Sequence, residues 1–502
     1  MLLHPTSLPG PHGSGDLGDG ALRFVDFLAS AAQRWWQMLP VGPPGYGESP
    51  YSAESSFAGN PMLVSPEGLA AAGWLDAASL SPAAPLRSDR MDFPPAQAHR
   101  TRLLRAAFAN FSTRSEDLLG FRSFCEESSA WLDDFALFRA LKHAHGGVQW
   151  TRWEAGVRSR EPRALQAARS RLAGEIAFEK FVQYAFELQW QKLRAHAAAH
   201  GVGLIGDVPI FVAHDSADIW QNPGDFFLDD AGEPTVIAGV PPDYFSATGQ
   251  RWGNPLYRWG RMKAGGYRWW IDRLRVTLRR FDAVRLDHFI GFQRYWQIPA
   301  DEPTAIRGRW MKGPGADFFD TLRAALGKLP LIAEDLGEVT PAVYALRDRY
   351  RLPGIKILQF AFGDDPSAPS FLPHNYPRRA VVYTGTHDND TTVGWFHAAG
   401  GAGSTRTAAQ AQAEREATLR YLATDGKEIH WDMIRTALAS VARLAMFPLQ
   451  DLLGLGSEAR MNLPGNPVGN WTWRFEERDL TAALGDRLAG LTRTYGRSRV
   501  RP

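Results

Sequence analysis

Asp282-Ala283-Val284-Arg285-Leu286-Asp287-His288-Phe289 is a short apolar run that ends on charged residues. Arg285 and Asp287 stand two apart, so in an extended strand both side chains leave the same face and can pair. The pattern recurs in Leu204-Ile205-Gly206-Asp207, in Leu331-Ile332-Ala333-Glu334-Asp335 and in Tyr383-Thr384-Gly385-Thr386-His387-Asp388. Working outward, eight such runs appear in order, at 2–7, 36–41, 203–212, 283–289, 331–336, 355–362, 380–387 and 444–449. Amphipathic helical stretches separate them, at 21–34, 175–199, 267–280, 318–326, 341–350 and 405–421. Eight alternating units predict a mixed α/β fold, a (β/α)8 barrel of parallel strands. A doubly wound open sheet is the alternative, because periodicity does not report closure.

In a barrel the acids at these strand ends converge on one mouth, where barrel enzymes do their chemistry. Several carboxylates in one cleft repel, and folding does not favour the arrangement unless cations, a metal or a function offset it. Each acid alone is explained as a buried ion pair or a cap; the set points to chemistry. Cleavage of a glycosidic bond with retention needs two carboxyl groups about 5–5.5 Å apart, one nucleophile and one acid/base. The same acids also suit a Mg2+ site for enolate chemistry, which needs a Lys or His base; Lys356 lies at the wrong end of its strand and His387 remains.

Two connections are too long for simple loops. Residues 59–171 read as a mainly helical insertion after the second strand, and 214–266 as a lid or groove insertion after the third. The whole chain, 1–502, is expected to form one catalytic barrel around them. Tyr244, Phe245, Trp252, Tyr257 and Trp259 make the lid a sugar-gripping loop or, equally, an aromatic mini-core. The 18 Trp, and 12% aromatic residues overall, fit flat platforms for sugar rings, although a tryptophan-rich core has the same composition.

Other classes are disfavoured. Lys+Arg number 56 against Asp+Glu 54, so no basic footprint for nucleic acid or an anionic membrane is expected; the basic run Arg493, Arg497, Arg499 and Arg501 reads as a solvated tail. The single cysteine, Cys125, permits no intrachain disulfide and suits a reducing cytoplasm. Met1–Ser7 has neither the basic nor the apolar region of a signal peptide, and no stretch reaches 18 apolar residues. Gly13-Ser14-Gly15-Asp16-Leu17-Gly18 matches a dinucleotide pattern, but it does not leave a strand directly and no acid follows about 20 residues on. Turn glycines ahead of a helix near Asp19 explain it better.

Longer motifs carry more. Leu3-His4-Pro5-Thr6-Ser7-Leu8-Pro9-Gly10, Ser49-Pro50-Tyr51, Gly206-Asp207-Val208-Pro209-Ile210-Phe211-Val212 and Gly249-Gln250-Arg251-Trp252-Gly253-Asn254-Pro255 stand with the three acidic motifs and with Arg460-Met461-Asn462-Leu463-Pro464-Gly465. Nearly end to end, the chain resembles the amylomaltases, or disproportionating enzymes, of the α-amylase clan. The resemblance implies a 4-α-glucanotransferase that moves segments of α-1,4-glucans and maltooligosaccharides by retaining double displacement, with disproportionation and cyclisation as its outcomes. It implies Asp287 as nucleophile, Glu334 as general acid/base and Asp388 as transition-state stabiliser. Arg285, His387 and Asp207 match the clan's other groups around the cleaved sugar, and Trp252 sits on the loop that covers the groove. Tyr51, Gln250, Asn254, Asp364 and Asn462 are further expected sugar contacts. No cofactor and no metal are expected: Phe211 and Val212 occupy the places of the clan's calcium-binding Asn and its following His. A cytoplasmic monomer is the remaining expectation.

Overall fold

The computed structural model describes residues 1–498 except 83, 115–116, 243–247, 401–405 and 467. Tyr244 and Phe245, Arg499 and Arg501, and most of the Gly/Ala/Ser run at 398–404 therefore lie outside the described residues.

The strands are β1 (Trp35–Gln37), β2 (Gly203–Pro209), β3 (Val236–Val240), β4 (Gln250–Pro255), β5 (Ala283–Asp287), β6 (Arg294–Pro299), β7 (Arg309–Lys312), β8 (Leu331–Ala333), β9 (Gly354–Ile357), β10 (Ala380–Tyr383) and β11 (Leu444–Met446). β1, β2, β5 and β8 pair in that order, all parallel, and β9, β10 and β11 form a second parallel set. Two seams join the sets. At one, the Ala333 N–H donates to the Pro353 carbonyl at 2.9 Å. At the other, Leu2 bridges both β1 and β11, through parallel pairings to Gln37 and Pro448. The ring of eight strand positions closes.

The first of the eight runs shrinks to that single bridge. Pro5–Ser7 turn into a 3-10 helix, because proline has no N–H to give a neighbouring strand. The others are shorter than their apolar runs: 355–362 contains a strand only to Ile357, and Leu358–Phe360 wind into a 3-10 turn at the mouth. A buried cluster of Ile205, Ile332, Ile355, Ile357, Val381, Tyr383 and Met446 draws on five strands. Ile205 and Asp207 are two apart on β2, so the apolar column leads outward to the acid. Outside the ring, helices Asp19–Ser30, Ala173–Ala199 and Arg268–Arg280 bury their apolar stripes on the strands. Trp36, Trp190, Trp220 and Trp270 are fully buried, so much of the tryptophan belongs to this packing.

Residues 59–171 hold helices Pro66–Ala71, Phe93–Phe111, Leu118–Glu127, Ser129–Ala144 and Pro162–Arg171. The segment 214–266, which shows little periodicity, contains β3 and β4. With β6 and β7 they make an antiparallel sheet in the order β4-β3-β6-β7, assembled from the connections after β2 and after β5. Tyr257 and Trp259 are buried, so for those two the mini-core reading holds. Among the described residues no helix is long and apolar enough to cross a membrane.

Asp335 turns out to be structural. Its carboxylate accepts from the Ile355 N–H at 2.8 Å and pairs with Arg347 at 2.5 Å, tying β8 to β9 at the seam. A Cβ on Gly354 would come within 2.4 Å of that carboxylate, so the seam needs a glycine there. Asp335→Ala removes the buried acceptor of the Ile355 N–H and leaves Arg347 with Asp348 alone, and is expected to lower stability by about 2 kcal/mol. A urea midpoint close to that of the parent would show that the seam does not depend on the pair.

Candidate active site

Each of the acids is delivered by a strand exit. β5 ends on Asp287, Glu334 follows β8, and Asp388 lies in the turn after β10; β2 contributes Asp207. The cluster is organised by one cation. Arg285, buried on β5, reaches Asp207 at 2.6 Å with one guanidinium nitrogen and Asp287 at 2.7 Å with the other. Asp207 also accepts from the Tyr51 hydroxyl at 2.8 Å, while its second carboxylate oxygen is buried without a partner. The Tyr51 ring stacks on His387, with centroids 4.9 Å apart and planes at 13°. Burial, then the neighbouring Asp207 charge, hold the Tyr51 hydroxyl well above the usual phenol range, so it stays a donor.

Glu334 sits in a different environment. Its two oxygens accept backbone N–H bonds from His288 at 2.6 Å and Leu336 at 3.0 Å. Those bonds and the Arg285 cation favour the carboxylate, but burial is the largest influence and the Asp287 charge adds to it. The side chain is pushed up to about 8, which favours the protonated form. His288 holds its donor in place from a left-handed conformation, φ 51° and ψ 53°, uncommon for a residue with a side chain. Its ring meets the Trp252 ring edge-on at 4.8 Å, and its Nε2 is buried without a partner. Burial lowers the imidazole to about 4, leaving it neutral beside Asp287.

Asp388 is half-exposed and held by neighbours. Asn462 donates its amide N–H to one carboxylate oxygen at 2.6 Å, and His387 Nε2 lies 3.3 Å from the other. Arg460 bonds to the Asp388 carbonyl at 2.5 Å and to the Asn462 carbonyl at 2.8 Å, pinning the two loops together.

Asp207, Arg285, Asp287, Glu334, Tyr51, His387, Asp388 and Asn462 therefore form one connected group. Trp252 is exposed on β4, its indole N–H donating to Gln250 at 3.1 Å, and its ring joins the group through His288. Asn254 is partly committed: its amide donates to the Val212 carbonyl at 2.9 Å, fastening β4 to the exit of β2. Asp364 is exposed and accepts a hydrogen bond from Gln410, at the start of helix Ala408–Leu422. His288 and Arg460 carry no assigned role in the sequence reading. Both lie inside the quoted motifs, but a backbone donor and a carbonyl clamp have no side-chain signature.

A family model described as 4-alpha-glucanotransferase matches residues 3–481. The chain belongs to that family. It is 50% identical over 501 residues to the 4-alpha-glucanotransferase of Thermus thermophilus, covering 98% of this chain and 97% of that one. It is 49% identical over 503 residues to the Synechocystis 4-alpha-glucanotransferase, covering 99% and 97%. Among solved structures, the amylomaltase of Streptococcus agalactiae in complex with acarbose superposes with a TM-score of 0.94 at 35% identity, over 99% of each chain. In this 4-α-glucanotransferase-family chain, the connected acids lie at the exits of the parallel strands.

The raised Glu334 has a consequence for stability. A carboxyl whose folded value lies above its unfolded one, about 4.3, contributes stability that is fully present below that pH and lost as pH rises through about 8. Glu334→Gln removes the titration. Its stability relative to the parent is expected to rise between pH 6 and pH 9, read from urea unfolding at each pH. A difference that does not change with pH would mean that Glu334 is already ionised at pH 6.

Proposed function

We propose that the protein is a 4-α-glucanotransferase that disproportionates α-1,4-glucans and maltooligosaccharides by retaining double displacement, with Asp287 as nucleophile, Glu334 as acid/base and Asp388 as stabiliser. The observation that carries the reading is the contrast between two neighbouring carboxyls: Asp287 faces Arg285, whereas Glu334 is buried and pushed up to about 8. In the first half-reaction the Asp287 carboxylate attacks the anomeric carbon, and the Glu334 proton passes to the leaving 4-oxygen. In the second, the 4-hydroxyl of an acceptor glucan or glucose gives its proton to Glu334 as its oxygen displaces Asp287. Asp388, braced by Asn462, lies where its charge can offset the oxocarbenium-like transition state. Tyr51, Asp207, Arg285 and His387 line the reacting sugar. Trp252 offers the next ring a flat face and, with Gln250 and Asn254, helps the acceptor to outcompete water.

We read 1–502 as a single catalytic barrel, with 59–171 as its helical insertion and 214–266 as part of the groove cover. A single cysteine accords with a cytoplasmic setting, and we read the protein as a monomer. No step invokes a metal or cofactor.

Incubation with maltotriose tests the reading. Chromatography is expected to show glucose together with a ladder of longer maltooligosaccharides, undiminished by chelator. Asp287→Asn is expected to lower the rate by at least about three orders of magnitude. Shortening to glucose and maltose alone would make the protein a hydrolase and reject the acceptor role of Trp252. Trp252→Ala is expected to raise the share of hydrolysis over transfer several-fold, measured as reducing ends released against glucose transferred. An unchanged ratio would place acceptor binding elsewhere.

A further inference from the structure

Away from the barrel mouth, two helices present a set of side chains with no part in glucan transfer. Asp26 lies on helix Asp19–Ser30. His196 lies in the last turn of helix Ala173–Ala199, and His200 caps its end. The two histidines are four apart, so both rings share one helix face; their centroids are 4.2 Å apart. One ligand atom from each of the three residues lies within 4.8 Å of the other two.

The hydrogen bonds already set a ligand geometry. His200 Nδ1 faces the His196 carbonyl at 2.9 Å, and a carbonyl only accepts, so Nδ1 carries the proton. In the neutral ring this leaves the lone pair on Nε2, 3.6 Å from the Asp26 carboxylate. That separation is too long for a hydrogen bond. Two ligand atoms on a tetrahedral zinc ion lie about 3.4 Å apart, which it matches. His196 Nε2 meets the same carboxylate oxygen at 2.6 Å, a proton-sharing distance that a metal ion opens by less than 1 Å. The backbone bond to Nδ1 is the outer support that orients ligating histidines generally. The helix end contributes too: carbonyls of the last turn of this 27-residue helix favour a cation beside it. Arg23 and Arg194, within three residues of these side chains on the same helices, are engaged by Glu477 and Asp282, so neither competes for Asp26.

We propose that Asp26, His196 and His200 form a site for a borderline divalent transition-metal ion, with Zn2+ the natural occupant and water completing the coordination. Two imidazoles and one carboxylate suit Zn2+, Ni2+ or Cu2+; Mg2+ and Ca2+ prefer all-oxygen sets. The ion clamps the first helix of the barrel to the long helix before β2. It replaces the proton shared by His196 and Asp26.

Untagged protein, stripped with chelator and dialysed, is titrated with ZnCl2 at pH 7.5 by calorimetry and thermal unfolding. One ion per chain is expected, with the unfolding midpoint raised by roughly 2–5 °C and no effect of MgCl2. His196→Ala and His200→Ala should each weaken binding at least tenfold and remove the midpoint shift, with glucan transfer intact because neither side chain touches the acid cluster. Absence of stoichiometric binding in the parent overturns the proposal. So does undiminished binding in the double variant, which would put the ion elsewhere. An equal response to MgCl2 overturns it as well, since a carboxylate surface would then suffice.

Discussion

The site depends on one guanidinium. Arg285 spans Asp207 and Asp287, and without it the two carboxylates would face one another uncompensated. Buried ion pairs seldom add stability over apolar packing, yet removing one partner leaves the other charged and unsolvated. A lysine could supply the charge but not the two-pronged reach, because its donors radiate from a single nitrogen. The planar fork links Asp207, opposite Arg285 within β2, to Asp287 at the end of β5. Tyr51 and His387 extend that order outward, the hydroxyl through Asp207 and the imidazole by stacking.

The same barrel gives Glu334 the opposite treatment. Its oxygens meet only backbone N–H groups, and burial outweighs both those bonds and the nearby cation. Two carboxyls at adjacent strand ends thereby meet different surroundings, a guanidinium for Asp287 and backbone N–H groups for Glu334. The strained backbone of His288 is part of that arrangement, since a left-handed turn directly after Asp287 aims an N–H back at Glu334. Above them the antiparallel sheet is built from two separate connections, so Trp252 of β4 reaches the ring of a residue that follows β5.

Much of this was legible in advance where the signal is local. Apolar runs ending in acids located the strands, and the i,i+2 spacing of Arg285 and Asp287 foretold their pairing. Other features carried no local mark. Asp335 reads like Glu334, one residue along the same strand end, but consecutive side chains leave opposite faces, and only the position of Arg347 shows that Asp335 serves the seam. Tyr257 and Trp259 have the composition of a sugar platform and the burial of a core.

By itself, the sequence determined the alternation of strands and helices and the family, because periodicity and motif spacing are properties of neighbours along the chain. Tertiary structure alone decided ring closure, the pairing of Asp335 with Arg347, the burial of Glu334 and the meeting of Asp26 with His196 and His200. Each of these depends on what chain-distant segments place within a few ångströms, and burial and charge act through space.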